Sequence, residues 1–159
     1  MVSQSLYFDC RAYGLELSLQ INMQAGRIIG LEFIDQQLAT RFDQLDDQQQ
    51  QVIAQLQEYL SGRRSCFELS IELHGTAFQQ RVWQQMRSIP FGEVMSYGQL
   101  AKQIGSSARA VGGACRANPV PLFIPCHRVV AANGIGGFAG DSSGGRVSIK
   151  EWLLSHEQA

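Results

Sequence analysis

What this chain of 159 residues lacks narrows the field first. It has no run of about 18 apolar residues, and its start, MVSQSLYFDC, shows neither the basic opening nor the apolar block of a secretory signal. A soluble, cytosolic protein with no membrane partner is therefore expected. The four cysteines, at 10, 66, 115 and 126, share no CxxC or other metal-type spacing, so free thiols are expected and a structural zinc site is not. Proline is scarce: four in all, three of them crowded into positions 119, 121 and 125.

What is present suits one ordinary domain or two small ones, with 45% hydrophobic residues to fill a core. The net charge of −1 hides a division. Residues 1–74 carry five Lys/Arg against ten Asp/Glu, and residues 75–159 carry eight against four. A basic half on an acidic half is what a polyanion-binding module with a solvated companion looks like, although chance segregation of surface charge gives the same count.

The patterning agrees with a boundary there. SLYFDCRAY, LELSLQINM and RIIGLEFID read as three strands of an antiparallel meander joined at Tyr13-Gly14 and Ala25-Gly26. From Asp43 to Leu60 the apolar positions fit a helix, with four glutamines from Gln48 as its solvated face, and FELSIEL reads as a further short strand. His74-Gly75-Thr76 looks like the joint. Beyond it the spacing predicts a helix over Phe78–Ser88, ended by Pro90 and Gly92. A helix capped by Ser96 should run to Ile104, break at Gly105, and be followed by another from Ser106 or Ser107 to about Arg116. Helix, three-residue turn with glycine, helix is the helix-turn-helix signature.

The second of those helices, SARAVGGACRA, is poor in large side chains. Gly112 and Gly113 each cost about 1 kcal/mol relative to alanine. Such a helix lets its backbone come close to something, either another helix or DNA. Arg109, projecting from small residues in the first turn, favours DNA.

PVPLFIPCHRVV raises the chemical question. Each proline fixes its own φ and biases the preceding residue towards extended geometry, so Cys126 emerges on a stiff apolar segment beside His127 and Arg128. Neighbouring residues do not share a face in regular structure, so a thiol–imidazole link here needs a bridging water or a bent backbone. Burial raises a thiol's pKa, and a reactive cysteine needs a base or cation nearby. For one isolated Cys-His pair the default is an inert buried thiol.

The company of that pair changes the balance. IPCHRVV, with GTAFQQRVW, FGEVMSYGQLA, ARAVGG, RANPVP and KEWLLSHE, resembles the O6-alkylguanine-DNA alkyltransferase (methylated-DNA-protein-cysteine methyltransferase) family nearly continuously from Gly75 to Glu157. The resemblance implies an α+β fold in two domains. Residues 1–74 would be a ribonuclease H-like accessory domain, a three-stranded antiparallel sheet with a helix. Residues 75–159 would be a mainly helical, winged-helix-like helix-turn-helix domain that binds DNA and transfers alkyl groups.

It also implies direct reversal of DNA damage. One irreversible turnover would move the alkyl group, typically methyl, from O6-alkylguanine, and from O4-alkylthymine, to Cys126. No cofactor is implied, because the donor is the damaged double-stranded DNA, approached from the minor groove with the nucleotide flipped out. The protein would be a monomer, with cooperative binding along DNA left open.

Carried over position by position, the resemblance makes His127 the water-mediated base for the thiol and Glu157 its holder. Glu157 lies on the same helical side as Leu153 and Leu154; a frayed terminal side chain is the alternative, since only two residues follow. Tyr97 would give a proton to the departing guanine, and Arg109 would take the flipped nucleotide's place. Asn118 would fix the turn leading to the thiol, and the backbone carbonyls of Cys126 and Val129 would read the guanine amine. Phe138 and Ala139 would lie over the base. Ala108, Gly112, Gly113, Arg116 and Arg128 are expected against DNA. The family's tyrosine over the base is Phe138 here, and the DSSGGR loop that follows is long. A cysteine-free damage-flagging relative, a redox-sensing regulator and a Cys-His hydrolase are the rival readings, separated by covalent, stoichiometric labelling.

Overall fold

The protein is described here from a computed structural model, covering residues 3–36, 38, 43–136 and 145–159. It divides into two compact units, Met1–Leu73 and His74–Ala159.

In the first unit β1 (Gln4–Asp9), β2 (Ser18–Gln24) and β3 (Arg27–Ile34) form an antiparallel sheet in that order. The register sets Leu6 opposite Ile21 and Ile21 opposite Leu31, with Phe8, Leu19 and Phe33 in the next row. All six are buried, so the alternation visible in the sequence is the alternation of core and outside. The β2–β3 turn takes positive φ at both Ala25 (52°) and Gly26 (76°), the handedness a two-residue hairpin requires. β1 stops at Asp9, earlier than expected: Cys10 turns the chain into a short 3-10 segment, Arg11–Tyr13, and Arg11 pairs with Asp9 at 2.6 Å.

Helix α1 (Asp47–Leu60) begins at an Asp46 cap and fills the core with Val52, Ile53, Leu56, Tyr59 and Leu60. Its glutamines are not all on the solvated face. Gln49 is buried, closing a reciprocal capping box with Asp46 and donating to Gln4. The expected FELSIEL strand is reduced to a single parallel bridge of Ile71 to Ile28, where Ile28 N–H donates to Ser70 and Glu72 N–H to Ile28.

The second unit starts with α2 (Ala77–Arg87), capped by Thr76, and then α3 (Tyr97–Ile104) and α4 (Ala108–Arg116), capped by Ser96 and Ser107. Gly105, at φ 69°, ends α3 in the left-handed region, and the helix-turn-helix follows as expected. Trp83 Nε1–H donates to Ala114 O at 2.8 Å, tying α2 to α4, while Val82, Met86, Leu100 and Val111 are fully buried.

The sequence reading did not anticipate one short element. β4 (Met95–Ser96) pairs in parallel with β5 (Val129–Val130), setting Met95 opposite Val129. Two residues long, it carries no periodicity to read, yet it sets the start of α3 beside the Cys126 turn. The closing helix α5 (Gly145–Gln158) supplies Ile149 and Leu153 to the core.

Candidate active site

Pro119 to Pro125 does more than stiffen the chain. Leu122 is buried and sits at φ 82°, the left-handed region that a branched side chain avoids. Asn118 spans the turn, accepting from Val120 N–H at 3.0 Å and donating to Ile124 O at 2.9 Å. Cys126 then opens a 3-10 turn, Cys126–Arg128, so the backbone is bent at the place where a regular strand or helix would have kept thiol and imidazole apart.

Cys126, His127 and Arg128 are all buried, and so is Glu157, which settles the alternative of a frayed terminal side chain. His127 Nε2 lies 2.7 Å from Glu157 Oε2. Arg128 grips the same carboxylate with both arms, Nε to Oε1 at 2.9 Å and Nη2 to Oε2 at 3.0 Å, and its Nη1 donates to Ile89 O at 2.8 Å. Phe91 lies under the guanidinium, 5.9 Å away. A carboxylate held this way accepts only, so the His127 proton sits on Nε2 and the lone pair on Nδ1. His127 Nδ1 is buried and has no hydrogen-bond partner among the described residues.

Lys150, which the sequence reading passed over, is wholly buried in the same place. Its ammonium donates to Val129 O at 2.6 Å and lies 5.8 Å from the centre of the Tyr97 ring. The helical spacing that put Glu157 with Leu153 and Leu154 extends one turn back to Lys150, and that was the available signal. Tyr97 also packs against Gly136, at φ 79°, where an added Cβ would come within 3.1 Å of the phenol oxygen.

The electrostatics follow from burial. Desolvation pushes the Cys126 thiol up to about 11, against the opposing pull of the Asn118 hydrogen bond and the Lys150 charge. Desolvation brings Lys150 down to about 8, opposed by the Cys126 and Cys115 thiols. His127 is also lowered by burial; the Glu157 bond works the other way and the Arg128 and Lys150 charges add to the fall. At neutral pH the resting site holds a thiol and an unprotonated imidazole.

The remaining expected residues fall in four groups. Val129 carries its carbonyl into the site, but that oxygen already accepts from Lys150, and Cys126 O from Val129 N–H, leaving each one lone pair for a base. Ala108, Arg109 and Arg116 are exposed on α4, with Gly112 and Gly113 half-buried between them. A Cβ added at either glycine would meet nothing nearer than the Arg116 guanidinium, at 4.0 and 3.8 Å, so internal packing does not demand these glycines. Arg128, expected against DNA, is engaged inside the protein. With Lys150 it removes two of the eight cations that made the second half look like a basic surface. Phe138, Ala139 and the loop after them as far as residue 144 lie outside the described residues, and the last two residues of DSSGGR open α5 instead of belonging to a loop. Among the described residues no cluster of three or more metal-ligating side chains occurs, and no helix is long and apolar enough to cross a membrane.

A thiol set on a bent turn beside a histidine–carboxylate pair, behind a helix-turn-helix, defines a class of protein with a cysteine nucleophile on a nucleic-acid-binding scaffold. Residues 77–159 match the family model of the 6-O-methylguanine DNA methyltransferase DNA-binding domain. The chain therefore belongs to the 6-O-methylguanine DNA methyltransferase family. Methylated-DNA–protein-cysteine methyltransferase of Shigella flexneri is 48% identical over 106 residues, 64% of this chain and 59% of the relative. The constitutive enzyme of Bacillus subtilis is 45% identical over 107 residues, 65% of this chain and 62% of its own length. The matched stretch thus spans less than two thirds of these curated relatives. Among solved structures, Mycobacterium tuberculosis O6-methylguanine methyltransferase aligns with 99% of this chain and 93% of its own at 31% identity and a TM-score of 0.81. Mycobacterium tuberculosis OGT in complex with DNA aligns with 89% of this chain and 87% of its own, at 33% identity and a TM-score of 0.74.

Proposed function

We propose that this protein repairs alkylated DNA by direct reversal, moving the alkyl group of O6-alkylguanine, and of O4-alkylthymine, to Cys126 in a single irreversible turnover. One observation carries the reading: a buried thiol stands next to a histidine whose Nε2–H is held by Glu157 and whose Nδ1 is left with a free lone pair.

The sulfur attacks the alkyl carbon as the carbon–oxygen bond breaks, and the electron pair leaves on the base. With the thiol raised to about 11, almost no thiolate stands ready at pH 7, so the proton departs as the new bond forms. His127 Nδ1 receives it through a water, a general-base step of the kind worth roughly 10²- to 10⁴-fold. The Lys150 ammonium stabilises the charge developing on sulfur, and Tyr97 protonates the departing base. The product is a thioether and a restored base. A thioether offers no good leaving group, so the protein is consumed one for one, and no cofactor enters.

The target atom faces the base stack, so the nucleotide is flipped out, and an alkylated base that pairs poorly costs less to extrude. α4 enters the minor groove with Ala108, Gly112 and Gly113 towards it, since a narrow groove rejects bulk. Arg109 fills the gap in the duplex and Arg116 meets the backbone, so binding weakens as salt rises. Phe138 and Ala139 cover the base. The His74 region divides an accessory unit from the unit that does this work.

Intact-protein mass after incubation with a duplex carrying O6-methylguanine is the test, with Cys126→Ser alongside. A gain of one methyl per protein on Cys126, absent from the variant, is expected. Multiple turnover, or tight lesion binding with no adduct, would overturn the reading.

A further inference from the structure

Arg128 stands beside the thiol in the sequence and turns into the protein interior in the fold. It makes three hydrogen bonds inside the protein, two of them to the carboxylate that holds the histidine. A surface cation does not need that arrangement, and a buried carboxylate does. Around His127 the groups with charge to lend are Glu157 and Lys150 on α5 and Arg128 and Cys126 on its own turn; Cys115 on α4 and Tyr97 on α3 lie behind them.

We propose that Arg128 is a positioning residue that acts through Glu157, the counter-charge that lets the carboxylate orient His127 without drawing a proton onto it. A buried carboxylate beside a neutral imidazole is a net negative pair in apolar surroundings. The cheapest relief is to take up a proton, and the site for it is Nδ1 of His127. The imidazolium so formed neutralises the carboxylate and loses the lone pair that accepts the thiol proton. Arg128 supplies that neutralisation in advance. Its fork covers both carboxylate oxygens while leaving Oε2 in reach of Nε2, so the imidazole is aimed and unprotonated together. Ile89 O, accepting the third bond, stops the guanidinium from swinging away.

The kinetic part of this inference rests on the repair reading above; the charge balance does not. Two measurements on the full chain separate them. The first is the titration of His127 by NMR in histidine-labelled protein without DNA, assigned with His127→Asn. The second is the pH profile of single-turnover methyl transfer from an O6-methylguanine duplex. Arg128→Met should raise the His127 midpoint by about 1–3 pH units. The acid limb of the transfer rate should move with it, giving a tenfold or greater loss at pH 6.5 that is regained in alkali. Arg128→Lys, which keeps the charge and loses the fork, should leave the midpoint within about half a unit while slowing transfer at every pH.

Arg128→Met/Glu157→Gln leaves no charge newly without its partner, so it guards against a single variant that does not fold. Its His127 midpoint should return to the parent's value or below. A uniform loss of rate in Arg128→Met with the His127 titration unmoved would make Arg128 merely structural and sink the inference. So would a raised midpoint in the pair variant. A parent protein that transfers no methyl would count against the repair reading alone, because the titration still decides the role of Arg128.

Discussion

The two units bury different things. Among the described residues, the buried polar side chains of Met1–Leu73 are Ser18, Gln49 and Gln55, all neutral, and those of His74–Ala159 are His127, Arg128, Lys150 and Glu157, all ionisable. Gln49 and Gln55 answer local backbone needs, a helix cap and the Glu68 peptide. His127 and Arg128 answer Glu157 across about 30 residues of chain, and Lys150 donates to the Val129 carbonyl 21 positions away. Desolvation of charged groups costs free energy that their partners offset at best in part, so the second unit accepts a penalty that the first avoids.

Glu157→Ala is the largest single break in that contrast. It leaves the Arg128 charge buried without its partner and should cost about 3–5 kcal/mol in chemical denaturation, with methyl transfer lost. The matching change in the first unit is Leu56→Ala. It should cost about 2–5 kcal/mol through the cavity alone, and molecules that remain folded should transfer methyl at the parent rate. Slower transfer by that folded fraction would mean the first unit shapes the chemistry.

Lys150→Met sharpens the comparison, because it should raise stability while lowering function. A lysine whose folded pKa is about 8 against an ordinary 10.5 disfavours the fold whenever it is protonated. The penalty is complete below pH 8 and fades as pH climbs towards 10.5, the unfolded chain binding more protons in between. The variant should therefore gain on the order of 1–3 kcal/mol at pH 7 and nothing above about pH 10.5, measured by urea midpoints across that range. Transfer should slow at every pH where the parent's ammonium is charged.

The smallest effects come from a pair of backbone changes. Gly112→Ala should add about 1 kcal/mol to stability, since its Cβ meets no wall, and should weaken binding to undamaged duplex in a fluorescence-anisotropy titration. Ala25→Gly, relieving a positive φ in the first unit, should add roughly 0.5–1 kcal/mol and leave DNA affinity untouched. Equal effects of the two on DNA would erase the distinction between a helix built for close approach and a turn that is only strained.

The same contrast explains what the sequence made legible. The sheet could be read because period-two burial is local, and the helix-turn-helix because Ser96, Gly105 and Ser107 punctuate it within a dozen residues. The chemical motif was likewise contiguous. What escaped was set by distant pairing. FELSIEL has a strand's composition, yet only Ile71 finds a partner in Ile28. β4 and β5 are two residues each. Arg128 looks like a surface cation until Glu157, 29 positions away, is folded onto it. Lys150 could have been found by continuing the helical face of Glu157 backwards, but a lysine on an apolar face reads as a stem lying along the surface until burial is measured.

The raised thiol has a bearing on how long each molecule lasts. At a pKa of about 11, only about one Cys126 in 10⁴ is ionised at pH 7, against a few per cent of an ordinary cysteine. Peroxide and stray electrophiles react with the ionised form, and Cys126 is almost entirely screened from them besides. For a protein that acts once, as proposed above, an accidental reaction is not recoverable, so slow background chemistry would count as much as fast chemistry on target. Burial keeps the sulfur dormant in the resting protein, and under the repair reading proposed above the working lifetime would be set by damage to DNA rather than by exposure to the cell.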